Sequence, residues 1–285
     1  MTRKLFVVAF VAALAVSAAV AFAAMRAQRG QKSGERASTA GASESKSGAA
    51  RVPVVVELFT SEGCSSCPPA DALLGRLDAT QPVEGAEVIP LAMHVDYWNY
   101  LGWADPYSAH EFSERQGEYA AAYKKDGVYT PQMIVDGVKE FSGGNERAAL
   151  ESVAAAAREK KAELTITHLP RRDEGDDVFG LSVGLDKFPK QTEGDPVYVL
   201  LAVTESGLSS DVARGENSGR RLTHVGVTRA IQQLGILPEA VGQFKVETGI
   251  VIKKDWRREN LRAVVFAQER GTRRVLAAGS LKLFD

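Results

Sequence analysis

From Val52 onward the chain alternates short β-branched apolar runs with stretches whose apolar residues recur every three to four positions. Pro53-Val54-Val55-Val56-Glu57-Leu58-Phe59 is the first such run, the mark of a buried strand. A helix follows over about 69–77, with Leu73, Leu74 and Leu77 on one face. Pro68 and Pro69 suit its first turn, where amide hydrogens lack partners anyway. Residues 88–95 read as a second buried strand. Asp105-Pro106 opens a helix over 107–125, which Asp126-Gly127 ends. Gln132-Met133-Ile134-Val135 is a third strand, turned by Asp136-Gly137 into Val138-Lys139-Glu140-Phe141, a hairpin signal. Asn145 then caps a helix to about 160 that buries Leu150, Val153 and Ala157.

After Lys161 the period changes. Residues 163–168, 178–185, 197–205, 244–252, 261–268 and 274–283 read as strands, several alternating with period two. Only 227–234 has helical spacing. The pattern predicts an α/β domain over 52–162, ordered βαβαββα around a mixed sheet. An all-β, sandwich-like domain over 163–285 follows it.

The N-terminus reads differently. Arg3 and Lys4 precede an apolar run over 5–25 that ends in small residues, which describes an export signal. Its length also suits an uncleaved membrane anchor. Either way the remainder is expected outside the cytoplasm, periplasmic in a bacterium. Residues 26–51 are Ala, Gly, Ser, Lys and Glu without apolar periodicity, a flexible tether.

Charge narrows the partners. With 35 Lys and Arg against 36 Asp and Glu, the net charge is -1, which gives nucleic acid no basic face to bind. No membrane contact is expected beyond the N-terminal segment, and no cofactor is expected.

Cys64 and Cys67, the chain's two cysteines, lie in Gly63-Cys64-Ser65-Ser66-Cys67-Pro68, between the first strand and the first helix. Two cysteines in a chain of 285 residues are not a stapling framework, and so short a loop restrains the unfolded chain little. A thiol at a helix start faces unpaired amide hydrogens and the positive end of the helix dipole, which favour its thiolate. Cys64 is then the attacking sulfur and Cys67 the resolving one. A passive disulfide is the alternative. Thr130-Pro131 precedes the third strand, and X–Pro bonds are the ones that go cis. A cis bond there would bring the Thr130 backbone beside the sulfurs, where an extended substrate segment can pair with it. A trans proline opening a strand fits the residues equally well.

His94-Val95-Asp96-Tyr97-Trp98-Asn99-Tyr100-Leu101-Gly102-Trp103 follows the second strand. If that strand continues, His94 and Asp96 share a face. Tyr97, Trp98 and Trp103 are candidates for a binding wall over the cysteines, or for an aromatic plug in the core.

These stretches carry a resemblance. Strand, Cys64-Ser-Ser-Cys67, helix, strand, helix, Thr130-Pro131, hairpin and helix resemble a thioredoxin fold. Glu57 through Asp71, His94-Val95-Asp96-Tyr97-Trp98, Leu101-Gly102-Trp103 and Tyr129-Thr130-Pro131-Gln132, and more weakly Gly215-Glu216-Asn217 with Gly219-Arg220, are similar to an uncharacterised family of exported bacterial thioredoxin-like proteins. That family is known only as a domain of unknown function. The resemblance implies that Cys64 is the nucleophile, Cys67 the resolving thiol and Pro131 a cis-proline beside Thr130. It also implies that Glu57 is a buried acid able to take the proton of Cys67, although its spacing is one residue long. The implied activity is thiol–disulfide exchange on exported protein thiols or disulfides, with an unidentified redox partner. Two other readings stay open: a copper or zinc site using Cys64, Cys67 and His94 or His110, and a binding module with an inert bridge.

Overall fold

The computed structural model describes residues 51–170, 177–237 and 242–284. The expected export signal and nearly all of the tether lie outside them. Among the described residues, no helix is long and apolar enough to cross a membrane.

The β-branched run forms β1 (Val52–Thr60), which pairs in parallel with β2 (Ala86–His94). On its other edge β1 pairs antiparallel with β3 (Gln132–Val135), itself hairpinned to β4 (Lys139–Ser142). Asp136 and Gly137 turn that hairpin at φ 49° and 68°, the two positive φ values that a twist-matched two-residue turn requires. A Cβ on Gly137 would stand 1.8 Å from the Arg273 carbonyl oxygen, so only glycine fits.

Alternation along β1 sorts its side chains onto two faces. Val54, Val56 and Leu58 pack with Leu73, Leu74 and Leu77 of α1 (Pro68–Thr80) and with Ala149 and Val153 of α3 (Glu146–Ala156). Asn145 caps α3 by accepting from the Ala148 amide at 3.1 Å. Val55 and Phe59 face the other way, onto Phe112 and Tyr119 of α2 (His110–Ala122).

The chain continues into β5 (Glu163–His168), β6 (Val178–Asp186), β7 (Val197–Glu205), β8 (Leu208–Asp211) and β9 (Arg221–His224). After these come β10 (Val227–Leu237), β11 (Gln243–Val251), β12 (Leu261–Glu269) and β13 (Val275–Lys282). The expected parts do not separate at residue 162. An eight-stranded mixed sheet runs β13-β12-β7-β10-β2-β1-β3-β4 through both. Its seam is one parallel pairing, Val227 with Ala92, beside a 2.8 Å bond from the Ala92 amide to the Gly226 carbonyl. A three-stranded sheet, β11-β6-β5, lays Phe179, Leu181, Val183 and Leu185 on the inward residues of β7 and β12, so a sandwich is present. α2 ties the halves together, since its cluster also holds Leu200, Ala202, Val264 and Phe266.

The helix expected over 227–234 is instead β10, paired with β7 along most of its length. Register shifts at Thr228/Ala230 and Gln233/Gly235 explain the misleading spacing. Each bulge inserts a residue, so the strand's apolar positions drift from period two toward helical spacing.

Candidate functional site

β1 ends at Thr60 and the chain turns through Ser61-Glu62-Gly63 into the cysteines. Cys64 and Cys67 are joined in a disulfide with their Cα atoms 5.4 Å apart. Cys67 is the N-cap of α1, and its carbonyl accepts from the Ala70 and Asp71 amides at 2.8 and 3.1 Å. The Ser66 hydroxyl donates to Cys64 Sγ at 3.4 Å. Both cysteines are buried, at 1% and 0% exposure, whereas Ser65 and Ser66 are exposed.

The expected convergence of free amides on Cys64 is thinner than anticipated. Pro68 and Pro69 have no amide hydrogen, Ala70 and Asp71 spend theirs on Cys67, and the Ser65 amide donates to Glu216 Oε2 at 3.0 Å.

Thr130-Pro131 reaches the same end of the sheet, and its peptide bond is cis. Trp98 connects the two loops. Its Nε1 donates to Thr130 Oγ1 at 2.8 Å, and its Cβ lies 3.1 Å from where a Cβ on Gly63 would stand. Pro131 packs near the first turn of α1, since a Cβ on Gly143 would lie 3.0 Å from both Pro131 and Ala70.

Glu57 is not there. It shares a face with Val55 and Phe59, opposite α1, where Arg115 Nε and Nη2 donate to its oxygens at 2.6 and 3.0 Å and the Tyr119 hydroxyl adds a third bond. Arg115 also donates to Gln268 at 3.0 Å. Burial and the Glu57 charge hold the Tyr119 hydroxyl well above its usual range, against the opposing pull of Arg115 and Arg273. Glu57 therefore anchors α2 to the sheet, and strand alternation is the reason it misses Cys67.

The His94–Asp96 pairing also gives way. β2 stops at His94, so the next residues no longer alternate. His94 Nδ1 bonds Asp105 Oδ2 at 2.7 Å, while Asp96 takes the Ser113 hydroxyl and His110 Nδ1. Ser113 and His110 hold the Asp96 carboxyl below its usual value. Tyr97 donates to Gln116 at 3.0 Å and lies with Trp98 against the α2 cluster.

Behind the cysteine loop sits a buried polar group, of which the sequence singled out His94 and Trp103 as site candidates but not Glu62, Asp105 or His224. Glu62 is bonded by His224 Nε2 at 3.0 Å and Trp103 Nε1 at 2.8 Å, and its amide donates to Asp105 Oδ2 at 2.8 Å. The His94 and His224 rings meet edge to face at 4.8 Å, with Tyr107 beside both. Burial pushes the His94 imidazole down, but the charge and hydrogen bond of Asp105 outweigh it and hold His94 above its usual value. Burial likewise opposes the Asp105 carboxylate, yet His94 keeps it below its usual range. These opposite shifts favour the ionised form of both partners across the 2.7 Å contact. Burial raises the Asp71 carboxyl at the start of α1 against the pull of His224 and His94. His94 Nε2 and His224 Nδ1 are buried without a hydrogen-bond partner. Such a concentration of desolvated charge is costly and gathers at functional sites.

The β8–β9 hairpin supplies the last wall. Asn217, buried at 1%, donates from Nδ2 to the Glu62 and Cys64 carbonyls, both at 2.9 Å. Between this wall and α1 runs a cleft of about 180 Å³, lined by Pro68, Asp71, Ala72 and residues 220–223. The metal reading has no support here. The sulfurs are bonded to each other, and no group of three His, Cys, Asp or Glu among the described residues is placed to hold an ion.

The family described as "Protein of unknown function (DUF1223)" matches residues 55–268. No curated protein matches the chain. The crystal structure of protein AGR_C_4864 from Agrobacterium tumefaciens is 26% identical and covers 82% of this chain and 95% of its own, with a TM-score of 0.59. Bacteroides uniformis β-glucuronidase 2 aligns at 12% identity over 41% of this chain and 12% of its own, with a TM-score of 0.24. The match spans most of β1, the cysteine loop, His94, His224 and the Asn217 wall, and the chain belongs to the DUF1223 family, whose function is unknown.

Proposed function

We propose that the chain is an exported, thioredoxin-like thiol–disulfide oxidoreductase acting through Cys64 and Cys67 on protein thiols or disulfides outside the cytoplasm. One observation carries the reading. A bonded Cys-x-x-Cys pair heads α1 beside the Thr130–Pro131 turn, with Trp98 linking the two loops. The local order β2-β1-β3-β4, with β1 and β2 parallel and the hairpin antiparallel, resembles the thioredoxin arrangement and supports the fold reading.

The chemistry is an exchange of two electrons. With the pair reduced, Cys64 thiolate attacks a substrate disulfide, forming a mixed disulfide and releasing one substrate thiolate. Cys67, losing its proton, then attacks Cys64 Sγ. The Cys64–Cys67 bond forms, the mixed disulfide breaks, and the second substrate sulfur leaves as a thiolate that takes up a proton. With the pair oxidised the steps run in reverse. Glu57 has no part in either direction.

The burial of both sulfurs favours a second reading, a binding module whose bridge is inert. One assay separates the two. The purified protein should accelerate thiol exchange on a disulfide-bonded peptide, and Cys64→Ser should reduce that rate to the uncatalysed one. Acceleration that survives Cys64→Ser, or a wild-type rate no faster than background, would leave the inert bridge as the better account.

A further inference from the structure

The turn between β8 and β9 comes from the far half of the chain, yet it meets the cysteine loop at three backbone positions. Asn217 Nδ2 donates to the carbonyls of Glu62 and Cys64, and its Oδ1 accepts from Arg220 Nη1 at 2.9 Å, which fixes the amide's orientation. Glu216 Oε2 accepts the Ser65 amide at 3.0 Å. Gly215, at φ 75°, lets the turn close on Trp103, where a Cβ would meet Trp103 Cβ at 3.2 Å. The turn is built against this loop.

We propose that Glu216 and Asn217 are positioning residues that set the redox balance of the cysteine pair. Asn217 fixes the backbone carrying Cys64. The Glu216 carboxylate occupies the Ser65 amide and so places a negative charge one residue along from Cys64, biasing the pair toward the disulfide. The physical reason is electrostatic. A thiolate gains from nearby amide hydrogens and loses from a nearby carboxylate. Since the two prolines contribute no amide hydrogen, the Ser65 amide is one of few donors available, and Glu216 takes it. A reduced state whose thiolate is disfavoured makes the pair a better reductant, the converse of strong oxidants whose reduced form is stabilised. Hydrogen bonding from Ser65 holds the Glu216 carboxyl below its usual range, so the charge is present wherever Cys64 ionises.

This inference rests on the redox reading, and its test reads the pair itself rather than catalysis. Wild type and Glu216→Gln are equilibrated with glutathione. Two glutathione thiols join as a disulfide and surrender two electrons and two protons, which the Cys64–Cys67 bond accepts as it breaks. A unit charge about 6 Å from a thiolate in water-like surroundings changes its formation by about threefold. Glu216→Gln should shift the equilibrium toward the dithiol by about threefold at pH 9, roughly 14 mV for a two-electron couple. The shift should shrink at pH 6, where Cys64 is protonated, and shrink in high salt. Glu216→Lys should move it further in the same direction. In a Cys67→Ser background, Glu216→Gln should also move the pH profile of Cys64 alkylation by iodoacetamide to lower pH. An unchanged profile and an unchanged equilibrium, or a shift toward the disulfide, overturn the proposal. If these shifts appear while no exchange on peptides is catalysed, the proposed activity falls and the tuning role stands.

Discussion

Replacing Asp105 with asparagine removes a negative charge from beside a buried imidazole and leaves the side chain's outline almost unchanged. The carboxylate accepts from His94 Nδ1 at 2.7 Å, from the Glu62 amide at 2.8 Å and from the Tyr107 amide at 2.9 Å. An asparagine offers one oxygen and one NH₂ group, so at least one of these donors then faces another donor. Breaking a buried ion pair from one side costs about 3–5 kcal/mol, because the remaining charge keeps its desolvation penalty. The pH dependence follows from two opposite shifts. His94 is raised above its ordinary 6.5, so its contribution is complete below 6.5 and disappears as pH rises through the elevated folded value. Asp105 is lowered below its ordinary 3.8, so its contribution is complete above 3.8 and disappears as acid carries the pH through the depressed folded value. The stability gap between wild type and Asp105→Asn should therefore be widest in mild acid near pH 6 and narrow in alkali. Urea unfolding of the oxidised protein from pH 5 to 9 measures it. A gap below about 1 kcal/mol at pH 6, or one that widens with rising pH, would refute the ion pair.

Three further outcomes are expected. Glu57→Ala should cost about 3–5 kcal/mol by leaving Arg115 uncompensated, while exchange by the folded fraction stays at the wild-type rate; a selective loss of activity at full stability would restore Glu57 as a proton acceptor. Gly137→Ala should cost at least about 1–3 kcal/mol, through strain at φ 68° and collision with the Arg273 carbonyl, read as a lowered Tm. Trp98→Phe keeps the Cβ beside Gly63 but drops the bond to Thr130, and should cost about 1 kcal/mol in urea unfolding.

What could be read from the sequence was local. The run 53–59, the cysteine loop, the leucine face of α1, the Asp136-Gly137 turn and the Asn145 cap depend on residues a few positions apart, and the structure has them where the pattern put them. Glu57 went astray although the information was present, since period-two alternation from Val55 to Phe59 already sends it away from Leu58 and α1. β10 misled for a different reason: its two bulges imitate helical spacing, and only the pairing with β7 exposes them. The polar group behind the cysteines was out of reach. Glu62 and His224 are 162 positions apart and Asn217 is 153 from Cys64, and no periodicity encodes such contacts. The available hints were His94 and Trp103 beside the second strand and the weak family likeness at Gly215-Glu216-Asn217, none of which says what they meet.

The most direct test of the account is a trapping experiment with Cys67→Ser. Lacking the resolving sulfur, this variant should accumulate a mixed disulfide with a peptide disulfide substrate, and mass spectrometry should locate the bond at Cys64. Reductant should release the peptide intact. A Cys64 that stays unmodified under conditions that react with free cysteine would contradict the account and leave the bridge a passive part of the fold.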